Sequence, residues 1–334
     1  GGAGGAGGVD PAGSGGAGGA GGSGVCEETL LGGPAASPYS FMMGNQLAWS
    51  HDLGYPAGYF HTYDALDVGG PGDQPHKVHV LVPREYGPCD AGHPVIYMND
   101  GGAVFWPGGA ANKSWDVPQG LQSLYAQGAF PRVIVVAIEP VNRDYEYSHV
   151  QVSPSGACCG AAQYVAYLAD RVKPFIDAHY RTAPGRETTA MVGSSRGGLS
   201  SFYVATRRPD VFGMAASMSP SFWAGLDPVF GGNFPGGPLA SAPLVQEVAG
   251  TLGDPSIRPR LWIDWGLVRT GGFHNEVIEA AATQRGLEMV DLLQATYGYT
   301  DGVDLGWEED PIGEHDEISW ARRFPAAMRA LLGQ

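Results

Sequence analysis

The chain has 334 residues, and its 34 acidic and 19 basic side chains give a formal net charge of −15 at pH 7. This acidic balance argues against nucleic acid or an anionic membrane as a partner. No apolar run reaches the 18 residues of a membrane-spanning helix, so no transmembrane segment is predicted.

The first 24 residues, GGAGGAGGVDPAGSGGAGGAGGSG, contain almost nothing that a core could bury. This composition predicts a disordered Gly/Ala/Ser-rich tether over residues 1–24, followed by a single domain over residues 25–334. A tether ahead of a folded domain suits export, and the chain begins with glycine rather than methionine. We therefore expect a processed protein that is secreted, or held at the cell surface or in the periplasm.

Four cysteines are present, Cys26, Cys89, Cys158 and Cys159, and they form no C-x-x-C pattern. In an exported protein they predict two disulfides. A bond between the adjacent Cys158 and Cys159 would be strained, so we expect each of the two to pair elsewhere. The alternative is buried free thiols.

Strands and helices alternate along the chain. Apolar or β-branched runs predict strands at 78–83, 94–98, 133–138, 188–192, 213–219 and 261–265. Helical spacing of apolar residues predicts helices within 114–130, over 161–180, after residue 196 and over 275–297. The alternation predicts an α/β fold with a mostly parallel central sheet and helices on both faces.

The pentad Gly193-Ser194-Ser195-Arg196-Gly197 lies between a predicted strand and a predicted helix. G-x-S-x-G in this context is the sharp turn that exposes a nucleophilic serine. Glycine-rich chains produce the pentad by chance, but the flanking strand and helix favour Ser195 as a nucleophile. The alternative is an ordinary strand–loop–helix joint.

The stretch VGSSRGGLSSFYVATRRPDVFGMAASMSPSFW resembles the nucleophile region of the putative-esterase family, which includes enterochelin, feruloyl and acetylxylan esterases and esterase D. VHVLVPREYG with HPVIYMNDGG, NRDYEY, and GEHDEISWARRFPAAMRALL also match, in family order, from about residue 77 to 333. The resemblance implies an α/β-hydrolase fold and a serine esterase that needs no metal or organic cofactor.

His315 is the histidine expected to activate Ser195. In α/β-hydrolases this histidine comes last in the chain, after the final strand. His315 alone among nine histidines follows the last predicted strand and precedes the terminal helix, and its setting, GEHDE, matches the histidine loop of the family. His274 is the main competitor, because it also lies in a loop after a strand.

The oxyanion of the tetrahedral intermediate needs two N–H donors. We expect one from Arg196, which follows the nucleophile, and one from the loop Asp100-Gly101-Gly102. Gly102 is preferred over Gly101 for the second donor. The alternative is an ordinary turn between a strand and a helix.

The acid that orients the histidine is the residue least defined by the pattern. Relatives often carry it three or four residues after the glycine equivalent to Gly266, where this chain has Arg269 and Thr270. Glu276 is the nearest downstream carboxylate and is our choice. Asp264, or a Ser–His pair without an acid, remains open.

The predicted function is hydrolysis of a carboxylic ester through an acyl-enzyme. Trp223 and Trp106 are candidates for an aromatic platform under the substrate, with core or rim packing as the alternative. The resemblance allows siderophore lactones, feruloyl or acetyl esters of polysaccharides, small thioesters and polyesters. The rival hypothesis is an inactive hydrolase fold that binds glycans or siderophores, motivated by the missing acid and by Arg196. The sequence does not indicate an oligomeric state.

Overall fold

The computed structural model describes residues 30–70, 73–108 and 112–333. Ten strands within these residues form one sheet. Their bounds are β1 Tyr39–Met43, β2 Gln46–His51, β3 Gly58–Leu66, β4 His76–Pro83, β5 Val95–Met98, β6 Ile134–Ile138, β7 Thr189–Ser194, β8 Met214–Met218, β9 Arg260–Gly266 and β10 Leu305–Asp310. Across the sheet the order is β1-β2-β3-β4-β6-β5-β7-β8-β9-β10.

The strands from β6 across to β10 are parallel, and five of them, β5 to β9, contain apolar runs that were predicted as strands. β5, β6, β7 and β8 are buried along their whole length. Continuous burial is typical of parallel strands that are covered on both faces. The carboxyl ends of these strands meet at one edge of the sheet, where ligands bind in open α/β sheets.

The other side of the sheet is antiparallel, through β1, β2, β3, β4 and the pairing of β4 with β6. The sheet is therefore mixed, and its parallel part is the C-terminal one. Of the antiparallel strands, the sequence predicted only β4. β3 escaped detection because it buries polar side chains: His61 Nδ1 lies 3.0 Å from the Tyr180 hydroxyl, and Thr62 Oγ1 lies 2.8 Å from His79 Nδ1.

Eight α-helices connect and cover the strands within the described ranges. Their bounds are α1 Val117–Ala126, α2 Arg143–Glu146, α3 Ala161–Tyr167, α4 Lys173–His179, α5 Arg196–Arg207, α6 Pro243–Leu252, α7 Ala280–Ala295 and α8 Glu317–Leu332. A π-helical turn, Leu168–Val172, joins α3 to α4, and a second, His274–Glu279, leads into α7. The helices predicted over 161–180 and 275–297 are confirmed.

The sheet separates two apolar cores. One core contains buried side chains of α1 and α8, including Leu121 and Phe324. The other contains side chains of α3 to α7, including Ile176 and Phe202. Helices therefore cover both faces, as predicted for an α/β-hydrolase fold. None of the helices in the described part of the chain is long and apolar enough to cross a membrane.

The cysteine prediction was wrong at the adjacent pair. Cys158 and Cys159 are disulfide-bonded to each other, across a cis peptide bond that places their Cα atoms 3.2 Å apart. No described cysteine is free. Cys26 and the predicted tether, residues 1–24, lie outside the described residues.

Candidate active site

Ser195 occupies a tight turn between β7 and α5, as the pentad predicts. Its backbone has φ 54° and ψ −123°, a conformation that non-glycine residues rarely adopt. A Cβ atom added to Gly193 would lie 2.4 Å from the carbonyl oxygen of Gly197, so only glycine allows the strand and the helix to approach this closely. The turn is further held by the N–H of Ser195, which donates to the carbonyl of Met218 at 2.9 Å.

A cavity of about 690 Å³ opens at the carboxyl ends of the parallel strands. Ser195, Arg196, Gly102, Trp223 and His315 all line it. These residues come from the turn after β7, the start of α5 and three separate loops, so the fold gathers most of the predicted site residues at one place. Glu276 and Trp106 are not among the residues that line this cavity.

The carboxylate that contacts His315 is Glu279. Its Oε2 atom lies 2.5 Å from His315 Nδ1, and both side chains are buried. Glu276, the residue predicted for this position, is exposed and instead accepts a hydrogen bond from the N–H of Gly272 at 3.2 Å. The prediction of Glu276 is corrected for this reason: its side chain faces solvent, one helical turn before the buried carboxylate.

A signal for Glu279 was present in the sequence. The buried residues of this segment are Asn275, Ile278, Glu279, Ala282 and Arg285, which recur at helical spacing. A glutamate on the buried face of a helix is unusual, because an ionised carboxylate is rarely buried without a partner. Glu276 was predicted instead because the resemblance implies an acid in the loop after β9.

Three donors surround the carboxylate of Glu279. Oε1 accepts from the N–H of Gly266 and from the hydroxyl of Ser219, the latter at 2.9 Å, and Oε2 faces His315. Burial alone would raise the pKa of Glu279. The hydrogen bond and charge of His315, followed by the charge of Arg323, outweigh burial and lower this pKa below its ordinary value. The carboxylate is therefore ionised at neutral pH.

Asp264, the second candidate acid, does not contact His315. It is fully buried at the end of β9, where Oδ2 accepts from the indole N–H of Trp262 at 2.7 Å and Oδ1 lies 3.0 Å from Nε of Arg323. Burial raises the pKa of Asp264 to about 6 despite the opposing charge of Arg323. Its contacts hold the strand end and the last helix.

His274 also lines the cavity, with its ring stacked on that of His315 at a centroid distance of 6.1 Å. No carboxylate in the described part of the chain forms an ion pair with His274, whereas His315 has Glu279. The geometry therefore favours His315 over His274 as the base.

The two predicted oxyanion donors lie on the wall of the cavity. Arg196 is the first residue of α5, so its N–H has no intrahelical acceptor. Gly102 lies in a short 3₁₀ turn, Gly101–Ala103. A Cβ atom on Gly101 would lie 2.7 Å from the backbone of Ile138, whereas one on Gly102 would meet only the Glu139 side chain at 3.5 Å. Gly101 is thus packed against β6, and Gly102 faces the cavity.

The aromatic platform differs from the prediction. Trp223 lines the cavity but is only 1% exposed, and its ring packs edge-on against Phe230 at 5.5 Å. Phe230, which was not predicted, is 37% exposed and also lines the cavity. Trp106 lies behind the Gly102 loop, packed on His79 at 4.8 Å. Trp106 was therefore predicted in the wrong place, because its ring also packs on His51 of β2 and Phe60 of β3, two strands that were not predicted.

Comparisons with known proteins identify the family. The family model described as "Putative esterase" matches residues 72–331. YbbA of Bacillus subtilis (strain 168) is 26% identical over 149 residues, which are 43% of this chain and 56% of that protein. The chain thus spans about half the length of this curated relative.

Two solved structures share the fold. The BES protein from Bacillus cereus has a TM-score of 0.58 at 15% identity, covering 82% of this chain and 96% of that one. The siderophore hydrolase EstA from Aspergillus nidulans has a TM-score of 0.57 at 19% identity, covering 78% and 92%. Since the family model matches most of the chain, the protein belongs to the putative esterase family.

Proposed function

We propose that the protein is a serine carboxylic-ester hydrolase that works through an acyl-enzyme. The family match supports ester hydrolysis. The observation that carries the mechanism is the buried Glu279–His315 pair, which opens on the same cavity as Ser195. This pair also removes one motive for an inactive binding protein, since a carboxylate for His315 is present after all.

Each group in the site has one task in acylation. Ser195 Oγ attacks the ester carbonyl carbon while His315 Nε2 takes the hydroxyl proton. Nε2 is the nitrogen available for this step, because Nδ1 is engaged by Glu279. The N–H groups of Arg196 and Gly102 stabilise the oxyanion of the tetrahedral intermediate. Collapse of the intermediate breaks the C–O bond, and His315 gives its proton to the departing alkoxide oxygen.

Deacylation repeats these steps with water as the nucleophile. His315 takes a proton from water as the water oxygen attacks the acyl carbon. The second tetrahedral intermediate then collapses, which breaks the bond to Ser195 Oγ and releases the free acid. The proton then returns to Ser195 Oγ. The proposed cycle uses side chains and backbone groups of the chain only.

For the substrate we propose an extracellular ester: a siderophore lactone, a feruloyl or acetyl ester of a polysaccharide, or a polyester. Three features support this choice. EstA, a structural neighbour, is a siderophore hydrolase by name. The cavity, of about 690 Å³, has an apolar side formed by Trp223, Phe230 and Ile278. The net charge of −15 disfavours a polyanionic substrate.

The test replaces the nucleophile. Ser195→Ala should abolish hydrolysis of p-nitrophenyl acetate and butyrate while the thermal unfolding midpoint stays close to that of the wild type. A fluorophosphonate probe should label the wild type at Ser195 and leave the variant unlabelled. Retained turnover in the folded variant would refute the serine mechanism, and ligand binding without labelling of the wild type would support a binding protein. A panel of the three proposed ester classes then ranks the substrates.

A further inference from the structure

Three buried side chains surround the Glu279–His315 pair. Ser219, which follows β8, and Trp320 and Arg323, which are three residues apart on α8, are all less than 7% exposed. None of these side chains is needed to attack an ester. Trp320 and Arg323, however, donate hydrogen bonds to Ser219, which in turn donates to the carboxylate that orients the histidine.

Ser219 Oγ makes three hydrogen bonds. It lies 2.9 Å from Glu279 Oε1, 3.1 Å from Trp320 Nε1 and 2.8 Å from an Nη atom of Arg323. A hydroxyl has one proton to donate and two lone pairs to accept with. The indole N–H and the guanidinium can only donate, so they occupy both lone pairs. The Ser219 proton is therefore directed to Glu279.

The hydrogen bond from Ser219 determines which oxygen of the Glu279 carboxylate remains free for His315. Glu279 Oε1 is occupied by the Ser219 hydroxyl and the N–H of Gly266, so Oε2 is the atom left for His315 Nδ1. An ionised carboxylate at Nδ1 holds the N–H on that nitrogen and leaves the lone pair on Nε2. The donor-only groups of α8 thus help, through Ser219, to hold the carboxylate whose contact with Nδ1 leaves Nε2 as the proton acceptor.

Arg323 also supplies the charge that two buried carboxylates require. Its Nε lies 3.0 Å from Asp264 Oδ1, and it reaches Ser219 beside Glu279. The backbone of Ser219 also contacts Asp264, because the N–H of Ser219 donates to the backbone carbonyl of Asp264 at 2.7 Å. The Nη1 atom of Arg323 also lies 3.8 Å from Oδ2 of Asp310, which Arg322 contacts as well. Without Arg323, the buried carboxylates of Asp264 and Glu279 would lose the cation that lies beside them.

From these contacts we infer that Arg323 and Ser219 are positioning residues, which act through Glu279 to keep His315 oriented as a base. The inference rests on the proposed function, because it assigns these residues a role in that same site. Both residues act at a distance from the substrate. Their loss should therefore change the basicity of the acid–base pair rather than the binding of the ester.

The test compares Ser219→Ala, Arg323→Gln and Arg323→Lys. Loss of a hydrogen bond or of the positive charge makes the Glu279 carboxylate more basic, so it holds the imidazolium proton more tightly. We expect kcat to fall about ten- to a hundredfold in Ser219→Ala and Arg323→Gln, the effect of losing one hydrogen bond to a charged group, with KM little changed. The acid limb of the kcat/KM profile should move to higher pH, by about half a unit or more. Arg323→Lys keeps the charge and should move this limb less.

Two matched controls separate positioning from packing. Ser217 is buried two residues earlier and donates to the carbonyl of Gly198 at 2.9 Å, and Arg285 is a buried arginine paired with Asp227 at 2.6 Å. Ser217→Ala and Arg285→Gln should lower the unfolding midpoint without moving the acid limb. The other charged groups that line the cavity stay unchanged in all variants; they are Asp100, Lys113, Glu139, Arg143, Arg196, His274, Glu314, Asp316 and Glu317.

An NMR titration of the His315 ring in the same variants tests the inference without measuring turnover. If the wild type hydrolyses no ester but the titration midpoint of His315 rises in Ser219→Ala and Arg323→Gln, the proposed function fails and the inference stands. The inference is overturned, while the proposed function stands, if the wild type is an active esterase and both folded variants show the wild-type titration midpoint of His315 and the wild-type acid limb. A shift of equal size in the two control variants would also overturn it.

Discussion

Glu279 and His315 are 36 residues apart in the chain, and their side chains meet at 2.5 Å between Oε2 and Nδ1. One lies in the π-helical turn before α7 and the other in the loop before α8. Both are buried, so water does not screen their interaction. The pair is therefore suited to stabilise an imidazolium formed during catalysis.

Replacement of the buried acid should affect turnover more than binding. We expect Glu279→Gln to lower kcat by at least about a hundredfold with KM little changed, since the amide removes the charge that stabilises the imidazolium. Glu276→Gln is the matched control, because Glu276 is exposed and its side chain accepts a hydrogen bond from the N–H of Gly272 rather than from His315. Steady-state kinetics on p-nitrophenyl butyrate check both variants. Equal losses in the two variants, or none in Glu279→Gln, would contradict the assignment.

The nucleophile turn should tolerate no side chain at Gly193. An added Cβ would lie 2.4 Å from the carbonyl oxygen of Gly197, a backbone atom that cannot move without displacing α5. We expect Gly193→Ala to lower the free energy of unfolding by about 1–3 kcal/mol, as overpacking does, and to reduce turnover by displacing Ser195.

Gly250 on α6 is the control for this change. Its added Cβ would meet no atom within 4 Å, and alanine favours a helix interior over glycine by about 1 kcal/mol. Urea unfolding of both variants should therefore give shifts of opposite sign. A Gly193→Ala variant as stable as the wild type would contradict the close approach of the strand and the helix at this turn.

His149 should make the protein less stable in mild acid. Its ring stacks on Tyr203 at 5.3 Å, and neither ring nitrogen has a hydrogen-bond partner in the described ranges. Burial lowers the pKa of His149 from 6.5 to about 4. The unfolded chain therefore takes up this proton below pH 6.5, and the folded protein takes it up only near pH 4. The free energy of unfolding should fall through this window by up to about 1.4 kcal/mol per pH unit for this one group.

His149→Phe keeps the ring stack and removes the proton. Urea unfolding at pH 4.5, 5.5 and 7.5 should show the variant gaining stability relative to the wild type as the pH falls. Burial also lowers the pKa values of His51 and His61 to about 4, so both proteins keep part of the acid sensitivity. A stability difference that does not change with pH would contradict the prediction.

Phe230 should select for aromatic acyl groups. It is 37% exposed and lines the cavity beside Trp223. We expect Phe230→Ala to raise KM for p-nitrophenyl ferulate about three- to tenfold, the effect of losing one aromatic pair, and to change KM for p-nitrophenyl acetate little. Phe273 contacts Phe230 at 5.8 Å but does not line the cavity, so Phe273→Ala is the control. An equal effect on both esters would indicate a general loss of packing.

Sequence pattern alone was enough to predict the features that depend on residues close together in the chain. Continuous apolar runs predicted the parallel strands β5 to β9, because strands covered on both faces carry few exposed polar residues. The parallel edge strand β10 was not predicted, since Glu308 and Glu309 within it are exposed. The pentad around Ser195 predicted a strand, a tight turn and a helix, because its glycines and flanks specify that geometry. His315 was predicted from chain order and resemblance, and the structure places it in the same cavity as Ser195.

Tertiary packing decided the remainder. Helical spacing could place Glu279 on the buried face of its helix, but the contact of its carboxylate with His315 depends on how α7 lies against β9. β3 buries histidine and threonine, whose cross-strand partners exist only in the assembled sheet. For the same reason Phe230, and not Trp106, lines the cavity. A buried polar group is stable only when its partner is in place, and partners distant in sequence are set by the fold rather than by spacing along the chain.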